Sequence, residues 1–158
     1  MVRMPNANAK VPFCISAAVF LLFAFGHTLG FLLFQPPSQQ GREVLEQMRS
    51  VSFNFSGRTT TWWTLYEGFG LSIAIALILS ALLSWRLSRS TTDPSLARTL
   101  AWLLCAAQLG NSVICLAFFG LVQTAFALAS ATALAWSAVS LRRDPSTTGY
   151  GLSAGREA

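Results

Sequence analysis

TWWTLYEGFGLSIAIALILSALLSW, residues 61–85, is the stretch on which the fold turns. A hydrocarbon core about 30 Å thick needs roughly 20 apolar residues in helical form. This run supplies them and carries one carboxylate, Glu67, about a turn and a half inside its start. Two further apolar runs flank it, over 11–34 and 99–141. The second is about twice the length that one crossing needs, so it must fold back on itself. Phe118-Phe119-Gly120 is the place for that turn, because Gly120 and Gln123 are the breaking and polar signals there. The sequence therefore predicts an all-α, four-helix transmembrane bundle. Its spans are 11–34, 62–85, 97–117 and 121–141 in one membrane domain, 1–141. The remainder, 142–158, is short, polar and rich in Ser, Thr and Gly, the composition of a disordered tail.

Composition agrees. Of the chain, 53% is hydrophobic and 11% charged, against roughly a quarter charged in soluble domains. In a soluble protein a net charge of +5 would raise nucleic acid as a partner. Here the positive-inside rule accounts for it, and no nucleic-acid partner is expected. Arg3, Lys10, Arg86, Arg89, Arg98, Arg142, Arg143 and Arg156 fall on one side of four spans. Arg42, Arg49 and Arg58 fall on the other. That asymmetry predicts a multi-pass protein with both termini in the cytoplasm. Trp62 and Trp63 then mark the outer interface, and Trp85, Trp102 and Trp136 the inner one.

In the first span Pro12 sits in the first turn, where a missing N–H is harmless. Near its far end, Gly26 and Gly30 lie four apart on one face, a spacing that permits close helix approach inside the chain or with another copy. The span carries the only histidine, His27. No A-x-A cleavage site follows, so the span is expected to be retained. Pro36-Pro37 ends the helix. Val44, Leu45, Met48 and Val51 then recur at helical spacing among charged residues, predicting a short amphipathic helix on the outer surface. Phe53 and Phe55 follow as residues able to dip into the interface. Asn54-Phe55-Ser56 fits a glycosylation sequon but lies too near the bilayer to count.

Each long span shows one small or polar stripe. In span two it is Thr64, Glu67, Gly70, Ala74 and Ala81, with Leu65, Leu77 and other large residues on the opposite faces. In span three it is Ala101, Cys105, Gln108, Asn111, Ser112 and Cys115. In span four it is Gln123, Ala127, Ser130, Ala133 and Ser137. Such stripes turn inward, with Gly70 and Ala74 as packing positions, and leave Leu and Phe for lipid. Thr92-Asp93-Pro94 offers a cap for span three. Cys105 and Cys115 are about 15 Å apart in rise, too far to bridge.

Helical rise places His27 roughly 10 Å and Glu67 roughly 8 Å below the outer interface. With Tyr66, Gln108, Asn111 and Gln123 they form the expected outer-leaflet polar cluster. Glu67 must either protonate or find a partner there, and His27 is the nearest candidate. A structural knot is one account. A ligand or proton site is another, since an ionisable residue inside a span is by default functional. The preferred role is a membrane-embedded binding or accessory protein, possible partners being the lipid bilayer, further copies of the chain or another membrane protein. The alternative is a small proton-coupled transporter using Glu67. An enzyme is the least favoured class. The candidate ligands are too few for a zinc site and one histidine cannot make a bis-histidine haem, so no metal, cofactor or catalytic residue is expected.

The run FGHTLGF, the Pro36-Pro37 break and MRSVSFNFSGRTTTWWTLYEGFGL resemble a family of small, uncharacterised four-span bacterial membrane proteins. The resemblance covers roughly the first half of the chain, including His27, Trp63, Tyr66, Gly68 and Gly70; spans three and four share only its hydropathy. It implies a bacterial integral membrane protein with four helices. It implies no activity and carries over no binding residue.

Overall fold

The computed structural model describes residues 7–89 and 93–141. The basic lead before it, the tail 142–158 and Thr92 lie outside the described residues. Five helices and one β-hairpin follow in the order α1 (Ala7–Leu32), α2 (Gln39–Ser50), β1 (Ser52–Phe55), β2 (Arg58–Thr61), α3 (Trp62–Arg89), α4 (Pro94–Phe118) and α5 (Leu121–Ser140). The four long helices are each apolar and long enough to cross a membrane. This is the all-α four-span bundle expected of an integral membrane protein.

The helices do not neighbour one another in chain order. α1 lies between α3 and α5, α5 lies between α1 and α4, and the consecutive helices α3 and α4 meet only marginally. Side-chain size explains the row. α1 brings large knobs, with Phe13 and Phe20 fully buried and Phe23 and Phe31 nearly so. Its neighbours offer small residues: Ala74, Ala81 and Ser84 on α3, and Ala127, Ser130, Ala131 and Ala138 on α5. Phenylalanine rings fill the hollows that alanine and serine leave. α5 buries the widest arc because it faces two helices, whereas α4 buries one narrow stripe, Ala97, Ala101, Cys105, Gln108, Ser112 and Cys115. Three departures from expectation stand out. Leu77, assigned to a lipid face, is buried in the packing face of α3, on the stripe that also holds Ala74 and Ala81. Thr64, assigned to the inward stripe, is exposed. And α1 begins near Ala7, so Pro12 falls in its second turn and withholds one helical hydrogen bond there.

Local signals set the ends. Ser38 Oγ accepts from the Gly41 N–H at 3.0 Å and starts α2. Asp93 accepts from the Ser95 N–H at 3.0 Å ahead of Pro94 and starts α4. Between α4 and α5 the chain turns at Phe119 and Gly120, the latter at φ 100°. α2 packs on β2 and the start of α3, with Leu45 buried beneath it.

The segment after α2 is a two-stranded antiparallel hairpin where only interfacial phenylalanines were expected. Ser52 pairs with Thr61, Phe53 with Thr60, Asn54 with Thr59 and Phe55 with Arg58. The two loop residues, Ser56 at φ 52° and Gly57 at φ 80°, both take the positive values of a type I′ turn. Asn54 Oδ1 accepts from the Gly57 N–H at 2.9 Å and holds the turn closed.

Candidate functional site

On the hairpin side of the bundle, the ends of α1 and α3 carry a continuous aromatic and polar seam. His27 and Phe31 are one helical turn apart on α1, with ring centroids 5.4 Å from each other. Trp63 and Tyr66 stand in the same way on α3, at 5.5 Å. The two pairs meet where Phe31 sets its edge against Tyr66 at 6.1 Å. α2 closes the far end, laying the Arg49 guanidinium over the Trp63 ring at 4.6 Å, a cation–π contact.

The seam is pinned by backbone chemistry. His27 Nε2–H donates to the Gly70 carbonyl on α3 at 3.1 Å. That direction fixes the proton on Nε2 and leaves Nδ1 on the other edge of the ring. The packing here is tight, since a Cβ at position 70 would stand 3.0 Å from the Phe31 ring, which would have to shift to admit it. Glu67 lies one turn nearer the hairpin on α3 and is half-buried. Among the described residues it has no hydrogen-bond or ion-pair partner, and the imidazole is engaged with Gly70.

The other expected members sit elsewhere. Gln108 and Asn111 are on α4 and Gln123 is on α5, the helix pair that touches α3 least. Asn111 and Gln123 are half-buried. Gln108 is 8% exposed, and its Oε1 is a buried polar atom without a partner among the described residues. The neighbouring hydroxyls have donated into their own helices: Ser112 to Leu109, Thr124 to Gly120 and Ser130 to Phe126. Gly26 and Gly30 point away from the other helices, and a Cβ at either would meet nothing within 4 Å. Gly70 and Ala74 are in the α1–α3 interface.

Two contributors, Phe31 and Arg49, were not among the site residues expected from the sequence. Toward the opposite end of the seam, Ser16 and Ser84 meet with their hydroxyls 3.3 Å apart in a fully buried pair across α1 and α3. No group of histidine, cysteine and carboxylate side chains among the described residues is placed to hold a metal ion, and the three cysteines are free.

Comparison with protein-family models, with curated proteins and with solved structures finds no match.

Proposed function

We propose that this multi-pass membrane protein is a membrane-embedded binding or accessory protein of the bacterial inner membrane, with its termini in the cytoplasm. Its site is the hairpin-side seam of α1 and α3. One observation carries this view: among the described residues Glu67, half-buried within a span, has no hydrogen-bond or ion-pair partner, and the imidazole that reaches α3 one turn away bonds a backbone carbonyl. A carboxylate serving only as a structural knot would be paired, because an unpaired charge at that depth is costly. Glu67 instead remains available to a donor or cation from outside the chain. The aromatic rings of Phe31, Trp63 and Tyr66 on the same seam supply apolar surface for such a group. A proton-coupled transporter would use the same carboxylate.

Thermal melting of purified Glu67→Gln against wild type at neutral pH tests the availability of that carboxylate. The melting temperature should stay equal or rise, since no intramolecular pair is lost. A clear drop would return Glu67 to a structural role. Reconstitution then separates the two functions. An accessory protein should be recovered with one membrane partner in near-equal amounts, lost in Glu67→Gln. A carrier should dissipate a pH gradient in proteoliposomes when substrate is added.

A further inference from the structure

A second site lies on the opposite side of the α3 start, between the hairpin and the first turn of the span. Here a wide-open cavity of about 630 Å³, none of whose lining side chains is buried, is formed by the hydroxyl residues Ser52, Thr59, Thr61 and Thr64 with Arg58, Phe55 and Leu65. The lining combines hydroxyls, one guanidinium and two apolar side chains, and it contains no carboxylate. Thr61 and Thr64 join their hydroxyls at 3.0 Å. Ser52 and Thr59 have no side-chain partner among the described residues. Such a lining suits a phosphodiester bearing further hydroxyls, with Arg58 for the charge.

Beyond the cavity, α3 offers a second surface. From Thr64, a row of small residues runs down the exposed side of α3 at four-residue spacing: Gly68, Ser72, Ala76 and Ser80. A Cβ at Gly68 would meet nothing within 4 Å. Ser72 donates to the Gly68 carbonyl and Ser80 to the Ala76 carbonyl, each at 2.8 Å, so their hydroxyls are spent and the floor is effectively apolar. Exposed Leu71, Ile75 and Leu79 wall one side, and Phe69 and Ile73 the other. Thr64 to Ala76 spans roughly 18 Å of helical rise, more than the roughly 15 Å half-thickness of a hydrocarbon core.

We infer that this combined surface holds one anionic phospholipid of the leaflet on the hairpin side. The headgroup sits in the cavity against Arg58, and one acyl chain lies along the small-residue groove. A row of small residues by itself equally suits a second helix. The polar cavity at the head of this row, with a cation and no anion, is complementary to a headgroup and has no use in a helix contact. The surface is continuous with the lipid-facing side of α3, which begins at the exposed Trp62.

Native mass spectrometry of the detergent-purified full chain, titrated with phosphatidylglycerol and with phosphatidylcholine, tests this. Wild type should retain one phosphatidylglycerol in preference to phosphatidylcholine. Arg58→Gln should lose about tenfold in phosphatidylglycerol affinity, the weight of one charge-assisted hydrogen bond, and with it the preference. Ser72→Leu, which fills the groove, should weaken both lipids. Both positions are exposed, and unchanged melting curves would show both variants folded. Equal phosphatidylglycerol retention by wild type and Arg58→Gln would overturn the inference. Displacement of the lipid by millimolar glycerol 3-phosphate would also overturn it, in favour of a soluble anion. A dimer abolished by Ser72→Leu without change in lipid binding would overturn it in favour of a second copy.

Discussion

The α1–α3 pair and the α4–α5 pair bury similar kinds of residue but use their polar groups differently. Between α1 and α3 the polar contacts run from helix to helix: Ser16 to Ser84 near one end, and His27 to the Gly70 carbonyl near the other. Between α4 and α5 the hydroxyls turn back on their own helices, and a long polar side chain buried there, Gln108, has an oxygen without a partner among the described residues. A hydroxyl bonded to its own helix only lowers the penalty of burying it. A bond across the interface also selects which helix is the neighbour and in what register. Polarity is thus a device of specificity in one pair and a tolerated cost in the other.

Substitutions at four positions break or sharpen that contrast. Gly70→Leu should have the largest effect, because its side chain must enter the volume of the Phe31 ring. Overpacking of this kind costs about 1–3 kcal/mol, and it should also displace His27 from its carbonyl. The melting temperature in detergent should fall, and the His27 imidazole resonances should shift. Gln108→Met comes next, with the opposite sign. It replaces a side chain whose buried amide oxygen has no partner among the described residues by an apolar chain of similar volume, so the protein should gain about 1 kcal/mol in a steric-trapping or denaturant titration. A loss there would mean that the amide has a partner that matters. Ser16→Ala should be smallest, about 0.6 kcal/mol, typical of a hydrogen bond between membrane helices. Ser84→Ala should match it, and the double substitution should add almost nothing further.

Much of this was legible in the chain. The small-residue stripes of spans three and four are the buried faces of α4 and α5, apart from the half-buried Asn111 and Gln123. Helical periodicity reports a face directly. Leu77 escaped because a leucine among alanines reads as lipid-facing until a neighbour is found with room for it. The hairpin escaped for another reason. Its Ser56-Gly57 turn signal was present, but the four-residue strands beside it are too short to show a period. His27 and Glu67 were expected at similar depth, yet depth does not fix azimuth. The imidazole reaches α3 one turn away from the carboxylate.

The sequence by itself determined that the chain crosses a membrane four times and which stripe of α3, α4 and α5 carries the small and polar residues. Length, hydropathy and periodicity are local properties, and the bilayer enforces them segment by segment. Only the tertiary structure decided that α1 stands between α3 and α5, that His27 bonds Gly70 and not Glu67, and that the polar residues divide between two helix pairs. Those outcomes depend on which large side chain fits which hollow. That is a property of two surfaces together and is written in neither helix alone.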